Sequence, residues 1–126
     1  MPAENTTYVA QWQINEYTIT FKANGGTGGY TTTKQYNSPL PIPIVTRKGY
    51  TFTGWSPTVP TTVTANGTYV AQWTINQYTA TFDSNGGTGG TSKTQNYGTS
   101  LSAPTVMRTG YNFIGWQPEV PTTMPA

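Results

Sequence analysis

The sequence predicts a mainly β, helix-poor protein built from two small modules in tandem. Three observations support this prediction: an internal repeat, an alternation of apolar with polar residues, and a composition rich in glycine, proline and aromatic residues. The chain has 126 residues, among them 14 Gly, 10 Pro, 9 Tyr, 4 Phe and 4 Trp. Because aromatic side chains each bury about 150–250 Å², they are numerous enough to form two small cores.

The repeat becomes visible when the chain is aligned with itself at an offset of about 61 residues. Identical residues are then too frequent for shared composition alone, so the chain is a tandem duplication. The recurring segments are Tyr8–Trp12 with Tyr69–Trp73, Tyr17–Phe21 with Tyr78–Phe82, Asn24–Gly29 with Asn85–Gly90, Gly49–Trp55 with Gly110–Trp116, and Val59–Thr62 with Val120–Thr123.

Short segments of each copy alternate apolar or aromatic residues with threonine. This period of two is typical of half-buried strands, and threonine and tyrosine suit a pleated surface. The predicted strands are Tyr8–Trp12, Tyr17–Phe21, Tyr50–Phe52, Tyr69–Trp73, Tyr78–Phe82 and Tyr111–Phe113.

The segments between these strands contain residues that favour turns or oppose helices. Asn24–Gly26 and Asn85–Gly87 follow strand ends, and both residue types tolerate positive φ. Pro39–Pro43 cannot form a regular helix because alternate prolines lack the N–H donor. Its counterpart Thr99–Pro104 has room for one helical turn at most, so we expect little helix anywhere.

The composition excludes several classes of function. Without histidine or cysteine, the chain cannot form zinc fingers, disulfides, thiol nucleophiles or histidine-based triads. Four acidic residues and a net charge of +2 argue against general acid–base catalysis, a calcium site and a nucleic-acid partner. No apolar run reaches the roughly 20 residues that span a bilayer. We expect no enzyme activity, no catalytic, metal or cofactor residues, and no membrane insertion.

In each copy the motifs follow one order: an aromatic strand, Phe-x-x-Asn-Gly-Gly, a tyrosine loop, a proline segment, Arg-x-Gly-Tyr-x-Phe-x-Gly-Trp, and a Tyr-x-Ala-x-Trp strand. This order resembles the Listeria–Bacteroides repeat, the B-repeat of internalin-B-type bacterial surface proteins. The residues that carry the resemblance are Asn24, Gly25, Gly26, Gly49, Tyr50, Phe52, Gly54, Trp55, Trp73, Asn85, Gly86, Gly87, Gly110, Tyr111, Phe113, Gly115 and Trp116.

The resemblance implies β-grasp-like modules on secreted or surface-anchored proteins, where they serve as stalks or spacers. It supplies no catalytic residues. The alternative is an adhesin-type module that binds a glycan or host protein through exposed aromatic residues. Core packing is the simpler role for the tryptophans, whereas tyrosines in predicted loops are better candidates for such a surface: Tyr30, Tyr36 and Tyr97.

In the family the Tyr-x-Ala-x-Trp strand ends a module. Residues 1–13 are then the tail of a preceding repeat, 14–74 a complete first module, and 75–126 a second module without its last strand. Residues Met1–Ala3 match Met124–Ala126, which suggests an excerpt from a longer array.

The strand that is missing from the second module has its equivalent in Tyr8–Trp12. We hypothesise that these residues (Tyr8, Val9, Ala10, Gln11 and Trp12) complete the second module of another copy, giving head-to-tail self-association. The alternatives are that the strand pairs with the first module or stays frayed. Linkers of three residues, Gln13–Asn15 and Thr74–Asn76, are expected to keep neighbouring repeats semi-rigid.

Overall fold

The computed structural model describes residues 4–126, so the Met1–Ala3 match lies outside the described residues. The described residues form strands and no helix, which confirms the mainly β fold class, and none of them forms a helix that could cross a membrane. The strands are β1 (Glu16–Lys22), β2 (Tyr30–Gln35), β3 (Tyr50–Ser56), β4 (Gly67–Ile75), β5 (Gln77–Phe82) and β6 (Thr91–Asn96).

The first module is a four-stranded sheet in the order β2-β1-β4-β3. Its two central strands, β1 and β4, are parallel, and each edge strand is antiparallel to its neighbour. A central parallel pair between two antiparallel edges agrees with the expected β-grasp-like sheet, with loops in place of a helix.

The core of the first module lies on one face of the central strands. Ile19 and Phe21 of β1 and Tyr69 of β4 are buried there with Val63, which belongs to the loop before β4. The Phe21 ring stacks on Tyr69 at a centroid distance of 5.5 Å. Trp55 meets Phe21 edge-on at 5.1 Å and closes the core on the β3 side.

A β-bulge in β3 directs two aromatic rings toward one another. The register with β4 shifts between Phe52 and Gly54, and Gly54 has φ +145°, a value that side-chain-bearing residues rarely adopt. As a result Phe52 and Trp55, which are three residues apart, meet at a centroid distance of 5.4 Å. The Gly-Trp part of the repeated motif therefore places the Trp55 ring on the same side of β3 as the Phe52 ring.

The second module contains the β5–β6 hairpin, which has no further strand paired with it within residues 4–126. Its buried residues are Phe82, Leu101 and Met124. In the repeat alignment, Leu101 and Met124 correspond to Leu40 and Val63. The second core is thus built from the same positions but lacks the contribution of a β4 equivalent.

Two strand predictions are wrong for the chain by itself. Tyr8–Trp12 is not in a strand, and neither is Tyr111–Phe113, although the same motif forms β3 in the first module. A strand exists only through its ladder partner. In the first module β3 pairs with β4, and the described residues provide no equivalent of β4 for residues 111–116.

The linker between the modules is also shorter than expected. Thr74 and Ile75 continue β4 because they pair with Thr51 and Tyr50. Asn76 alone separates β4 from β5, which begins at Gln77. The last strand of one module thus leads into the first strand of the next almost without interruption.

We expect amide exchange to differ between equivalent positions of β1 and β5. The Thr18 amide donates to Asn66 Oδ1 on the β4 side of β1, and the Thr20 amide points the same way because strands alternate. Among residues 4–126, no strand lies on that side of Thr81, the equivalent residue in β5. In dilute protein, hydrogen-exchange NMR should therefore show slow exchange at Thr20 and fast exchange at Thr81. Equal protection would mean that β5 is covered on both sides.

Candidate functional site

The most distinctive surface of the described chain is a groove beside β5, which we call the β5 groove. It lies between the end of β5 and residues 111–117. A second cavity continues it toward the buried Phe82, Leu101 and Met124. The residues that define the groove are Asp83, Asn85, Arg108, Tyr111, Phe113 and Trp116.

In the first module the equivalent position is occupied by β4. Ala71, at the centre of the strand, is fully buried, and its carbonyl oxygen accepts a hydrogen bond from Asn24 Nδ2 at 2.9 Å. Trp73 Nε1 donates to the Ala23 carbonyl oxygen at 2.8 Å, and its ring meets Phe52 at 5.6 Å. The Tyr-x-Ala-x-Trp motif therefore inserts as a unit into the sheet.

The Asn-Gly-Gly turn is shaped to receive this strand. Asn24 and Gly25 have φ of +54° and +92°, which turn the chain so that the asparagine side chain reaches β4. A Cβ on Gly26 would collide with the Thr46 carbonyl and lie 2.8 Å from the Trp73 ring. Asn85 and Gly86 repeat these φ values, at +49° and +90°, so the turn of the second module is already formed.

The walls of the β5 groove are also formed. The Trp116 ring packs edge-on against Phe82 at 5.3 Å and against Phe113 at 5.4 Å, as the equivalent rings do in the first module. The Arg108 guanidinium lies 3.9 Å from the centroid of the Tyr111 ring. In the first module Arg47 covers Tyr50 in the same way, at 3.7 Å. The groove thus keeps the geometry of the first module with the central strand left out.

The segment Tyr8–Trp12, which has the same sequence as Tyr69–Trp73 of β4, is on the surface. None of its residues is in a strand, and the exposed fractions of Tyr8 and Trp12 are 79% and 92%. Tyr69 and Ala71, the first and third residues of the identical segment in β4, are buried. Core packing, the simpler role for the tryptophans, therefore does not apply to Trp12 within this chain, whereas the other three are partly buried.

The predicted motif residues fall into two matched groups. The first group belongs to the first module and includes one residue of β4 itself, Trp73; it comprises Asn24, Gly25, Gly26, Gly49, Tyr50, Phe52, Gly54, Trp55 and Trp73. The second group belongs to the second module, where Asn85, Tyr111, Phe113, Gly115 and Trp116 line the β5 groove and Gly86, Gly87 and Gly110 do not. Tyr30, for which the sequence predicts a loop, instead opens β2 and stacks on Phe21 at 5.7 Å.

Sequence reasoning missed the contacts of Asn76 and Tyr97, which lie where the two modules meet. The Asn76 amide donates to the Gly49 carbonyl oxygen, and the Tyr97 ring packs against Gly49. A signal was present, because Asn15 and Tyr36 repeat both residues at the same offset. Within the described range the side chains form no metal-binding cluster of His, Cys, Asp or Glu.

A family model described as the Listeria-Bacteroides repeat domain matches residues 17–75 and again residues 78–123. The two matches cover nearly all of the two modules. They confirm the resemblance inferred from the motif order. No solved structure matches the chain.

Three relatives are similar over part of their length. Two are from Evansella cellulosilytica. One is named "Putative Gly-rich membrane protein" and is 33% identical over 92% of this chain and 15% of its own length. The other is named "Putative membrane protein" and is 34% identical over 87% of this chain and 18% of its own length. Internalin H of Listeria monocytogenes is 51% identical over 44% of this chain and 10% of its own length. The chain therefore spans less than a fifth of each of these relatives.

We expect Trp12 to dominate collisional quenching of tryptophan fluorescence in dilute protein. Trp12 is 92% exposed, and Trp55, Trp73 and Trp116 are each partly buried. Acrylamide should therefore quench the wild-type chain more strongly than the Trp12→Phe variant. Trp73→Phe is the matched control and should leave the accessible component in place. If Trp12→Phe leaves the quenching slope unchanged, the Tyr8–Trp12 segment is covered in the free chain.

Proposed function

Because the chain belongs to the Listeria-Bacteroides repeat family, which occurs in bacterial surface proteins, we propose that it is a non-catalytic segment of an extracellular stalk. In this proposal the repeats act as spacers at the cell surface. Neighbouring repeats are their main partners, and copies associate head to tail by exchanging the Tyr8–Trp12 strand.

One observation carries the stalk proposal: the direct passage from β4 to β5. Since Asn76 is the sole residue between these strands, the end of one sheet and the start of the next are held close together. Flexible linkers are rich in glycine and serine, whereas Asn76 is hydrogen-bonded to Gly49 on one side and to Tyr97 on the other. A series of modules joined in this way extends in one direction, as in other repeat arrays.

The β5 groove supports the exchange of a strand between copies. Transferring the register of β4 by the repeat offset places Tyr8 of a second copy opposite Phe82, as Tyr69 lies opposite Phe21. Ala10 then lies opposite Trp116, as Ala71 lies opposite Trp55. The edge of β5 would gain hydrogen bonds, and apolar side chains from both partners would leave water.

The Asn-Gly-Gly turn supplies the polar contacts for the donated strand. By the same equivalence, Asn85 Nδ2 donates to the Ala10 carbonyl oxygen of the second copy. Trp12 Nε1 of that copy donates to the Ser84 carbonyl oxygen. Both bonds exist in the first module at 2.8–2.9 Å, between Asn24 and Ala71 and between Trp73 and Ala23.

The exchange is heterologous, because the strand and the groove are different surfaces of one chain. Such contacts form open chains unless the rotation between copies closes a ring. Local pairing is the less favourable alternative, since β4 already fills the position in the first module that Tyr8–Trp12 would fit. An open head-to-tail chain agrees with the stalk proposal.

An adhesin-type function is the second candidate, and the exposed rings of Trp12 and Tyr111 favour it. Flat aromatic faces suit stacking on sugar rings. The same rings lie on the two surfaces that strand exchange would cover. A glycan or host protein that binds through them would therefore compete with self-association, and this competition distinguishes the two functions.

We expect a single charge in the donated strand to abolish association. Ala71 is fully buried, so a glutamate at the equivalent Ala10 would place an unpaired carboxylate in the completed core. Ala10→Glu should weaken association by roughly a hundredfold or more. The free chain should fold unchanged, since Ala10 is exposed there. Sedimentation velocity over a concentration series measures the effect.

Gln11→Glu is the matched control for this experiment. It adds the same charge one residue away, at the position equivalent to Gln72, whose side chain is exposed in β4. It should associate like the wild type to within about threefold. Strand exchange would be refuted if both variants associated equally, or if removal of residues 1–13 left association intact.

We expect fused copies to behave as a rod. Chains of one, two and three copies, joined so that Ala126 is followed by Glu4 of the next copy, should increase in maximum dimension by equal steps. Small-angle X-ray scattering measures this dimension. Flexibly linked modules would instead grow more slowly than in proportion to copy number. A fusion with a Gly-Ser linker at each junction is the flexible control.

A further inference from the structure

The two modules meet at a small joint centred on Asn76, in which this residue uses all its polar groups. Its amide donates to the Gly49 carbonyl oxygen at 2.9 Å, and its carbonyl oxygen accepts from the Tyr97 amide at 2.9 Å. Its side-chain Nδ2 donates to the Tyr78 hydroxyl at 3.0 Å, and Oδ1 accepts from the Thr51 hydroxyl. One residue therefore ties β3 of the first module to the hairpin of the second.

The same joint contains an aromatic contact. The ring of Tyr97, directly after β6, packs on Gly49 so closely that a Cβ there would overlap it. The ring also meets Tyr50 edge-on at a centroid distance of 6.2 Å. Gly49 is buried as a result. Position 49 is thus constrained twice, by its φ of +81° and by the ring that covers it.

Each half of this joint recurs on the surface without its partner. The tyrosine half recurs as Asn15 and Tyr36, where the Tyr36 amide donates to the Asn15 carbonyl oxygen at 2.8 Å and the Tyr36 ring is 49% exposed. The glycine half recurs as Gly110 and Tyr111. A Cβ on Gly110 would meet no atom within 4 Å, and Tyr111 is 63% exposed.

Asn15 makes half of the hydrogen bonds that Asn76 makes. Its carbonyl oxygen and its Nδ2 bind Tyr36 and Tyr17, as the corresponding groups of Asn76 bind Tyr97 and Tyr78. Its amide and Oδ1 have no hydrogen-bond partner among residues 4–126. These are the two groups that Asn76 directs to Gly49 and Thr51, in the neighbouring module.

We propose that Gly110 and Tyr111 form a docking surface for Asn15 and Tyr36 of a second copy. The Tyr36 ring covers Gly110 and meets Tyr111, and the Asn15 amide donates to the Gly110 carbonyl oxygen. Asn112 stands where the first module has Thr51, and its amide group can donate to Asn15 Oδ1. This surface lies next to the β5 groove, so one incoming copy engages both.

This docking surface rests on the head-to-tail assembly proposed above, and it adds a second contact between the same two copies. The strand supplies backbone pairing and the core contacts of Tyr8, Ala10 and Trp12. The tyrosine and asparagine set the angle between copies and select a partner that carries both residues at the correct distance from the strand. Continuity with the joint inside the chain is the argument for a second copy as the occupant.

A double-mutant cycle tests the contact. Tyr36→Ala and Tyr111→Ala should each raise the dissociation constant of self-association by about tenfold. The double variant should be little weaker than either single variant, because both remove the same contact. Sedimentation velocity gives the dissociation constants. Ile44→Ala is the control, since Ile44 is 89% exposed in the same module and should not change association.

The outcomes separate the two proposals. Association that is weakened non-additively supports the docking surface. Wild-type association that neither tyrosine variant weakens, or that the two weaken additively, overturns the docking surface and leaves strand exchange standing. A wild-type chain that stays monomeric overturns both. Shielding of Trp12 from acrylamide in the associated Tyr36→Ala variant would show that strand exchange survives the loss of the ring.

Discussion

The parallel pairing of β1 with β4 is the interaction on which the rest of the structure depends. Parallel neighbours cannot be joined by a tight turn, so the loops and β2 and β3 must all come between them. The last strand of a module consequently lies at its centre, where Tyr69 stacks on Phe21 and Ala71 is fully buried. The residue directly after this strand already belongs to the joint with the next module.

The two modules show how far the structure of a repeated motif depends on that strand. The motif Gly49–Trp55 contributes most of β3 (Tyr50–Ser56) in the presence of β4, whereas Gly110–Trp116 keeps the aromatic packing of Trp116 without becoming a strand. Side-chain contacts with the hairpin are therefore local to each repeat. The backbone hydrogen bonds of the Gly-Tyr-x-Phe-x-Gly-Trp motif come from a different strand, β4. This agrees with the strong dependence of β-structure on context.

Sequence patterns predicted much of this arrangement, because alternation and turn chemistry are local. They predicted β1, β5 and the Asn-Gly-Gly turns, and the repeat offset indicated which strand the second module lacks. They did not predict that Thr74 and Ile75 remain in β4, since those residues are held by Thr51 and Tyr50. The packing of Tyr97 on Gly49 is equally invisible to a local pattern, because it joins different modules.

In the stalk that we propose, the strand order also decides how each complete module carries load. The chain enters a module at the start of β1 and leaves it at the end of β4, and these strands are parallel neighbours. Tension between Glu16 and Ile75 therefore pulls the two strands past one another along their length. Their hydrogen bonds are then loaded together rather than one after another, as they would be in a hairpin pulled from its open end. The central β1–β4 pair of the first module is thus also the element that resists extension.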